Sequence, residues 1–383
     1  MSNKKKPNSA TAINDEVFLA SPRGQDDASR QITVADEPDL LNLMLRDATT
    51  VSELWQPTKY WQNYTRKIET AICRNGLSRL RQQRDILSGY QTAPILGPTL
   101  PSSKLKKLIW GLVERTPIVS KVIDGYRNAL ASSHSVRAGY ENGFAILALN
   151  LIAKQHPNLT IPAGHIAGYP HDLFLWNEQY VSASWVDYLY RISDFYAAIP
   201  QSNVESIVEI GPGLGWSTIS HIALNPNLKY CVNIDIPPVL YVSTQFLKSI
   251  GEVEVIDYRS TANLDKIVLE PGPDKPRIYQ LAPWQVPKID GTMDFLFNAF
   301  SFYEMEKSVC ANYIAELKPR LNKGALLHSP IRGKKLPHGP ADEISLDFLA
   351  ENFSERFPNQ QDLKFGWNEC YGHYSTTVML LTR

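Results

Sequence analysis

The chain has too few cysteines, too little net charge and too short an apolar run for several classes of protein. Its four cysteines (Cys73, Cys231, Cys310 and Cys370) show neither a CxxC pair nor zinc spacing. A disulfide scaffold and a cysteine metal site are therefore not expected. The 39 basic residues are balanced by 39 acidic ones, so there is no broad pull towards nucleic acid or an anionic membrane. The most apolar run, Phe144 to Ala153, is interrupted by Asn150 and is too short to span a bilayer. The N-terminal MSNKKKPNSA is basic but has no apolar stretch behind it, unlike a secretory signal. No internal repeat or low-complexity tract is present. These absences describe a soluble, reduced, cytoplasmic protein with no nucleic-acid or membrane partner; they do not indicate an oligomeric state. What is there is 43% apolar residues in a chain of 383, enough for one large domain or two ordinary ones.

Residues 1–39 carry no sustained hydrophobic period, mixing Lys4-Lys5-Lys6, Pro7 and the pair Asp26-Asp27. They read as a mobile, disordered tail. A helix start with an acidic cap is expected at Asp39, ahead of Leu40, Leu41, Leu43, Met44 and Leu45. Residues 40–170 then form a helical accessory or cap region. Ile68, Ile72, Leu77 and Leu80 make one apolar stripe, and Leu105, Leu108, Ile109 and Leu112 another. The proline-rich connector Gln91 to Pro101 lies between them. A long aromatic helix is expected over about Asn177 to Ala198.

From Pro200 the pattern changes. Short strand-like runs (206–210, 230–235, 277–281, 293–299, 325–329 and 375–382) alternate with helical ones. This predicts a doubly wound α/β domain over 171–383, with a mostly parallel sheet covered on both faces. The last run follows only a short loop, Glu369 to Tyr374, and so belongs to a terminal antiparallel pair.

Residues 208–215 read Val-Glu-Ile-Gly-Pro-Gly-Leu-Gly, between a buried strand and a helix. Gly211, Gly213 and Gly215 in such a turn let the backbone approach a ligand that a Cβ would exclude. The first amides of the next helix then face a polar or anionic part of that ligand. Twenty residues after Gly215, Asp235 ends the second strand, where a carboxylate accepts both hydroxyls of a ribose. A dinucleotide site would place its third glycine at 216, which is Trp216. Glu209, just before the first glycine, suits a methionine-type amino group instead.

With the antiparallel last strand, residues Asn203 to Arg383 resemble the class I methyltransferases that use S-adenosyl-L-methionine (SAM), a Rossmann-like fold. The run Asn298-x-x-Ser301-x-x-Glu304-Met305 and the segment Asp235-Ile236-Pro237 are similar to a family of sugar O-methyltransferases found among cell-surface polysaccharide genes. Members of that family also carry an N-terminal helical region. The resemblance implies SAM as cofactor and a small-molecule hydroxyl, of a sugar or sugar-like metabolite, as acceptor. Glu209, Gly211, Gly213, Gly215, Asp235 and Asn298 would bind SAM, with Asn298, Ser301, Glu304 and His328 at the reacting end.

Each candidate also has a structural reading. Asn298 is a ligand residue or a strand-end cap. Glu304 is a general base or an acid favoured by a helix dipole. His328 is a base or a satisfied buried histidine, and His338 and His373 fall in expected loops. Trp176, Tyr180, Tyr279, Trp284, Phe300 and Tyr303 are aromatic candidates for facing a sulfonium, with core packing as the alternative. Asp290, Asp294 and Glu304 match no metal loop, so no metal is expected. Lys104, Lys106 and Lys107 suit a solvated helix face. Two other functions share the same site: cyclisation of SAM to azetidine-2-carboxylate with release of methylthioadenosine, and SAM binding without catalysis.

Overall fold

The computed structural model describes residues 32–83, 86, 134–170, 172–199, 203–330, 344–363 and 375–381. Residues 1–31, the 91–101 connector, the stripe from Leu105 to Leu112, Lys104, Lys106, Lys107, His338 and the loop with His373 lie outside them.

The accessory region contains α1 (Pro38–Ala48), α2 (Lys59–Asn75) and α3 (His134–Gln155). α1 begins one residue before Asp39, with Pro38 at its first position, where a missing N–H costs nothing. The expected tail ends too late at residue 39. Val34 is buried, and Tyr241 Oη donates to Asp36 and accepts from the Glu37 amide at 2.7 Å. Glu37 also bridges Lys248 and Arg259, which pull its carboxyl down to about 2. Buried apolar surface and ion pairs thus order residues that composition alone marks as solvated.

A hairpin follows, β1 (Leu173–Trp176) and β2 (Gln179–Ser182), and only then α4 (Ala183–Ala198). The expected aromatic helix from Asn177 is therefore two elements. Asn177 and Glu178 adopt positive φ at the hairpin turn, which no helical spacing anticipates. Trp176 and Tyr180 accordingly sit on the hairpin, where Trp176 Nε1 donates to Asn150 Oδ1 at 2.9 Å.

The domain after it carries β3 (Ser206–Ile210), α5 (Trp216–Leu224), β4 (Tyr230–Ile234), α6 (Pro237–Lys248), β5 (Glu254–Ile256) and β6 (Arg277–Leu281). It continues with β7 (Met293–Ala299), α7 (Lys307–Leu317), β8 (Leu321–Pro330), α8 (Leu346–Phe353), β9 (Asn359–Leu363) and β10 (Ser375–Leu381). The sheet order is β9-β10-β8-β7-β3-β4-β6-β5. β10 runs antiparallel to both β8 and β9, while β5, β6, β4, β3, β7 and β8 are parallel.

Successive side chains point to opposite faces. Ile207, Cys231, Ile278 and Phe295 therefore join the core shared with α4, α5 and α6, whereas Val208, Val232, Tyr279 and Leu296 join that of α7 and α8. Burial on both faces explains why these strands read as continuous apolar runs. The chain order reverses at β3, which places a crevice at the C-terminal ends of β3, β4 and β7.

One buried cluster ties the accessory region to this crevice. Arg81 Nη2 donates to Asp172 Oδ1 at 2.8 Å and to Ser182 Oγ at 2.7 Å, and Nη1 donates to the His165 carbonyl. Its guanidinium carbon lies 4.7 Å from the Trp216 ring, the first residue of α5. Both members of the ion pair are buried. Arg81→Met strands the Asp172 carboxylate and is expected to cost about 3–5 kcal/mol in urea unfolding. The double variant Arg81→Met/Asp172→Asn should regain part of that loss.

Candidate functional site

The glycine turn is built as a strand-to-helix corner. Gly211, Gly213 and Gly215 have φ of +71°, +58° and +94°, values that a Cβ disfavours. The Gly211 amide donates to the Ile234 carbonyl and the Gly215 amide to the Pro212 carbonyl, both at 2.9 Å. Position 211 must be glycine for a second reason: an added Cβ would come 2.4 Å from that of Ser301.

A pocket opens beside this turn. Glu209, Gly211, Asp235, Ser301 and Glu304 line it, joined by Gln56, Thr58 and Trp61 from the accessory region. Asp235 Oδ2 accepts from the Gly213 amide at 3.1 Å and Oδ1 from the Ile236 amide at 2.8 Å. Burial pushes its carboxyl up to about 7, against the lowering effect of those amides. Two oxygens with about four lone-pair sites still suffice for a pair of ribose hydroxyls. Glu209 accepts from Ser217 Oγ on α5, and burial raises its carboxyl to about 8. It heads a buried polar row across the sheet, in register with Asn233 and then Gln280.

Asn298 and Ser301 are construction pieces of the corner. Asn298 Nδ2 donates to the Ile210 carbonyl at 3.1 Å and to Ser301 Oγ at 2.5 Å, and Oδ1 accepts from the Phe302 amide. Ser301 Oγ donates to the same Ile210 carbonyl at 2.5 Å. Asn298 is fully buried and is not among the residues lining the pocket; the hydrogen bonds named above all go to the corner. Ser301 reaches the wall but spends its hydroxyl proton on the backbone.

Glu304 lies between β7 and α7. It closes a single 3-10 turn, Ser301–Glu304, three residues before α7 begins at Lys307. Its Oε2 accepts from Trp61 Nε1 at 3.0 Å, and its carbonyl accepts from Thr58 Oγ1 at 3.2 Å. Burial pushes this carboxyl up to about 7, opposed by the Trp61 hydrogen bond. His328 stands on β8, in register with Ala299 and Thr377; its side chain lies outside the described residues.

Of the aromatic candidates, only Phe300 lines the pocket. Tyr279 Oη donates to the Val268 and Glu270 carbonyls, and Trp284 Nε1 donates to Tyr258 Oη at 3.1 Å. Trp61, Tyr188 and Tyr313 line it instead, and nothing in their local spacing singles them out. Asp294 is at the far end of β7, where Oδ2 accepts from the Glu205 and Ser206 amides and Oδ1 pairs with Lys323. Asp290 pairs with Lys266 at the surface. Neither is near Glu304. Among the described residues, no three His, Cys, Asp or Glu gather as a metal site, and no helix is long and apolar enough to cross a membrane.

No family model matches the chain, and no curated protein does. Solved structures overlap about half of it. Magnesium protoporphyrin IX methyltransferase from Synechocystis PCC 6803, with bound SAH, is 11% identical over 51% of this chain and 82% of its own, with a TM-score of 0.33. Human N-acetylserotonin methyltransferase in complex with SAM is 13% identical over 51% of this chain and 53% of its own, at 0.34. The mitomycin 7-O-methyltransferase MmcR is 15% identical over 53% and 55%, also at 0.34. The overlap spans little more than half of the latter two chains. By its own strand order and its antiparallel β10, the second half of this chain has the mostly parallel, Rossmann-like α/β fold expected of a class I methyltransferase.

Proposed function

We propose that the protein is an enzyme that transfers a methyl group from SAM to a hydroxyl of a small molecule, with a sugar or sugar-like metabolite as acceptor. The observation that carries this reading is one pocket at the C-terminal strand ends, where Gly211 and Pro212 of the glycine turn stand with Asp235 and Glu304. The donor set fits SAM: a buried carboxylate for the ribose, left-handed glycines that open the turn, and Glu209 for the ammonium. Bound there, SAM supplies a methyl carbon activated by its sulfonium.

The protein contributes alignment and a proton acceptor. Holding the acceptor oxygen in line with the methyl group supplies several of the roughly 7–11 kcal/mol available from positioning. Trp61, Tyr188 and Phe300 offer aromatic faces that suit both a sulfonium and the apolar face of a sugar ring. With SAM bound as methyl donor, a carboxyl oxygen of Glu304 would take the proton of the acceptor hydroxyl. A carboxyl at about 7 is well matched to that transfer near neutral pH. Gln56, Thr58 and Trp61 wall the site from the accessory region and exclude water.

The test is mass spectrometry of the protein with SAM, alone and with a panel of sugars and sugar nucleotides. S-adenosylhomocysteine and a product heavier by one methylene, formed only with acceptor, are expected. Enzyme-dependent methylthioadenosine without acceptor would replace methyl transfer by cyclisation. SAM that binds but is never consumed would leave a binding protein.

A further inference from the structure

We infer that Arg191 takes the carboxylate at the amino-acid end of the cofactor, an assignment that rests on the SAM reading above. Arg191 is the one basic residue among the described residues lining the pocket. It stands on α4, outside both motifs that the sequence offers for the cofactor. Its Nη2 pairs with Asp187 Oδ2 at 2.7 Å, one helical turn earlier, and the Asp187 side chain is almost fully buried. The guanidinium carbon lies 4.8 Å from the Tyr188 ring centroid and 5.6 Å from that of Phe300. A guanidinium held by an ion pair and two rings has given up its rotamer freedom before any ligand arrives, so less entropy is lost on binding. Its planar fork also matches a carboxylate.

The sheet order places this group at the right end of the ligand. Phe300 follows β7, Gly211 follows β3 and Asp235 follows β4, three adjacent strands. Neighbouring strands are about 4.8 Å apart, so the Phe300–Arg191 end and the Asp235 end are separated by roughly 10 Å. A nucleoside anchored by its ribose at Asp235 and crossing the glycine turn brings its amino-acid chain to Arg191. Apart from the tyrosines, the other ionisable groups in the wall (Glu209, Asp235 and Glu304) are all carboxyls. A ligand carboxylate is repelled by each of them when ionised, and Arg191 supplies the opposite charge.

The experiment is calorimetry on the full chain with three ligands: S-adenosylhomocysteine, its decarboxylated amine and methylthioadenosine. Wild-type protein should bind S-adenosylhomocysteine about 10- to 100-fold more tightly than the decarboxylated amine. Arg191→Gln should weaken S-adenosylhomocysteine by a similar factor and leave the other two within about two-fold. Asp187→Asn/Arg191→Gln, compared at equal Tm, controls for the stranded Asp187. The wild-type ligand comparison stands even if a variant does not fold.

Equal loss for all three ligands in the variants would make Arg191 a packing residue and overturn the assignment. Undiminished S-adenosylhomocysteine binding would also overturn it, and would move the anion to the acceptor. Wild-type affinity that ignores the carboxylate overturns the Arg191 assignment alone, because the nucleoside still binds. Binding of none of the three overturns the cofactor reading itself.

Discussion

Asp235→Asn is expected to weaken binding of S-adenosylhomocysteine by about 100-fold or more, read by calorimetry. Two ribose hydroxyls donating to one carboxylate are charge-assisted bonds worth about 1.5–3 kcal/mol each. The amide offers one acceptor oxygen, and its NH₂ is directed at a neighbouring backbone donor, the Gly213 or the Ile236 amide. Asp235→Ala should lose at least as much, because both amides are then left without their acceptor. The pH dependence of the ligand-free protein's stability should change as well. Burial raises the Asp235 carboxyl to about 7 from an ordinary 3.8, so between those values the folded state holds a proton that the unfolded chain has released. Stability from this group is complete below about pH 4 and is lost as the pH rises through 7. Asp235→Asn removes that dependence, so its Tm should fall less than that of wild type between pH 5 and pH 8. Unchanged affinity with an unchanged Tm profile would sink the ribose assignment.

The division between what the sequence revealed and what it hid follows from distance along the chain. The glycine turn, Asp235 and the strands over 206–210, 230–234, 277–281 and 293–299 were legible because strand, turn and helix lie within about thirty residues and announce themselves by period and glycine spacing. Asn298 was visible as a residue but not as a brace, since its partners Ile210 and Ser301 are joined by a packing of two corners. The hairpin at 173–182 was hidden inside an aromatic run whose helical spacing is genuine only from Ala183. β5 and β9 were missed for different reasons. β5 is three residues long, and β9, NQQDL, is polar enough to resemble a loop. Trp61 and Arg191 could not have been found by any local signal. They reach the pocket from helices that precede the glycine turn, held there by the Arg81 cluster, by residues 34–37 on α6, by Thr58 and Trp61 on Glu304 and by the core that α4 shares with α5. The nearest thing to a cue is the setting of Arg191 on α4, between Tyr188, Tyr190 and Phe195 with Asp187 four residues earlier.

Glu304→Gln should lower kcat by a factor on the order of 10²–10⁴ while S-adenosylhomocysteine binds within a few-fold of wild type. The carboxyl must be ionised to accept the hydroxyl proton, so wild-type kcat should rise with pH and level off above about 7. That limb should vanish in the glutamine variant. It must be read in kcat and not in kcat/KM. Asp235 also titrates near 7 in the free protein, whereas at saturating cofactor the ribose hydroxyls hold it as the carboxylate. Trp61→Phe supplies the finer test. The Trp61 Nε1–H donates to Glu304 and favours its ionised form, so removing that donor should move the limb to higher pH and leave the plateau rate nearly intact. A merely structural Glu304 would give the opposite pattern, with lower Tm, weaker cofactor binding and a pH limb that neither variant moves. If kcat in Glu304→Gln stays within about three-fold of wild type, well short of a general-base effect, the proton goes elsewhere and the base is not Glu304.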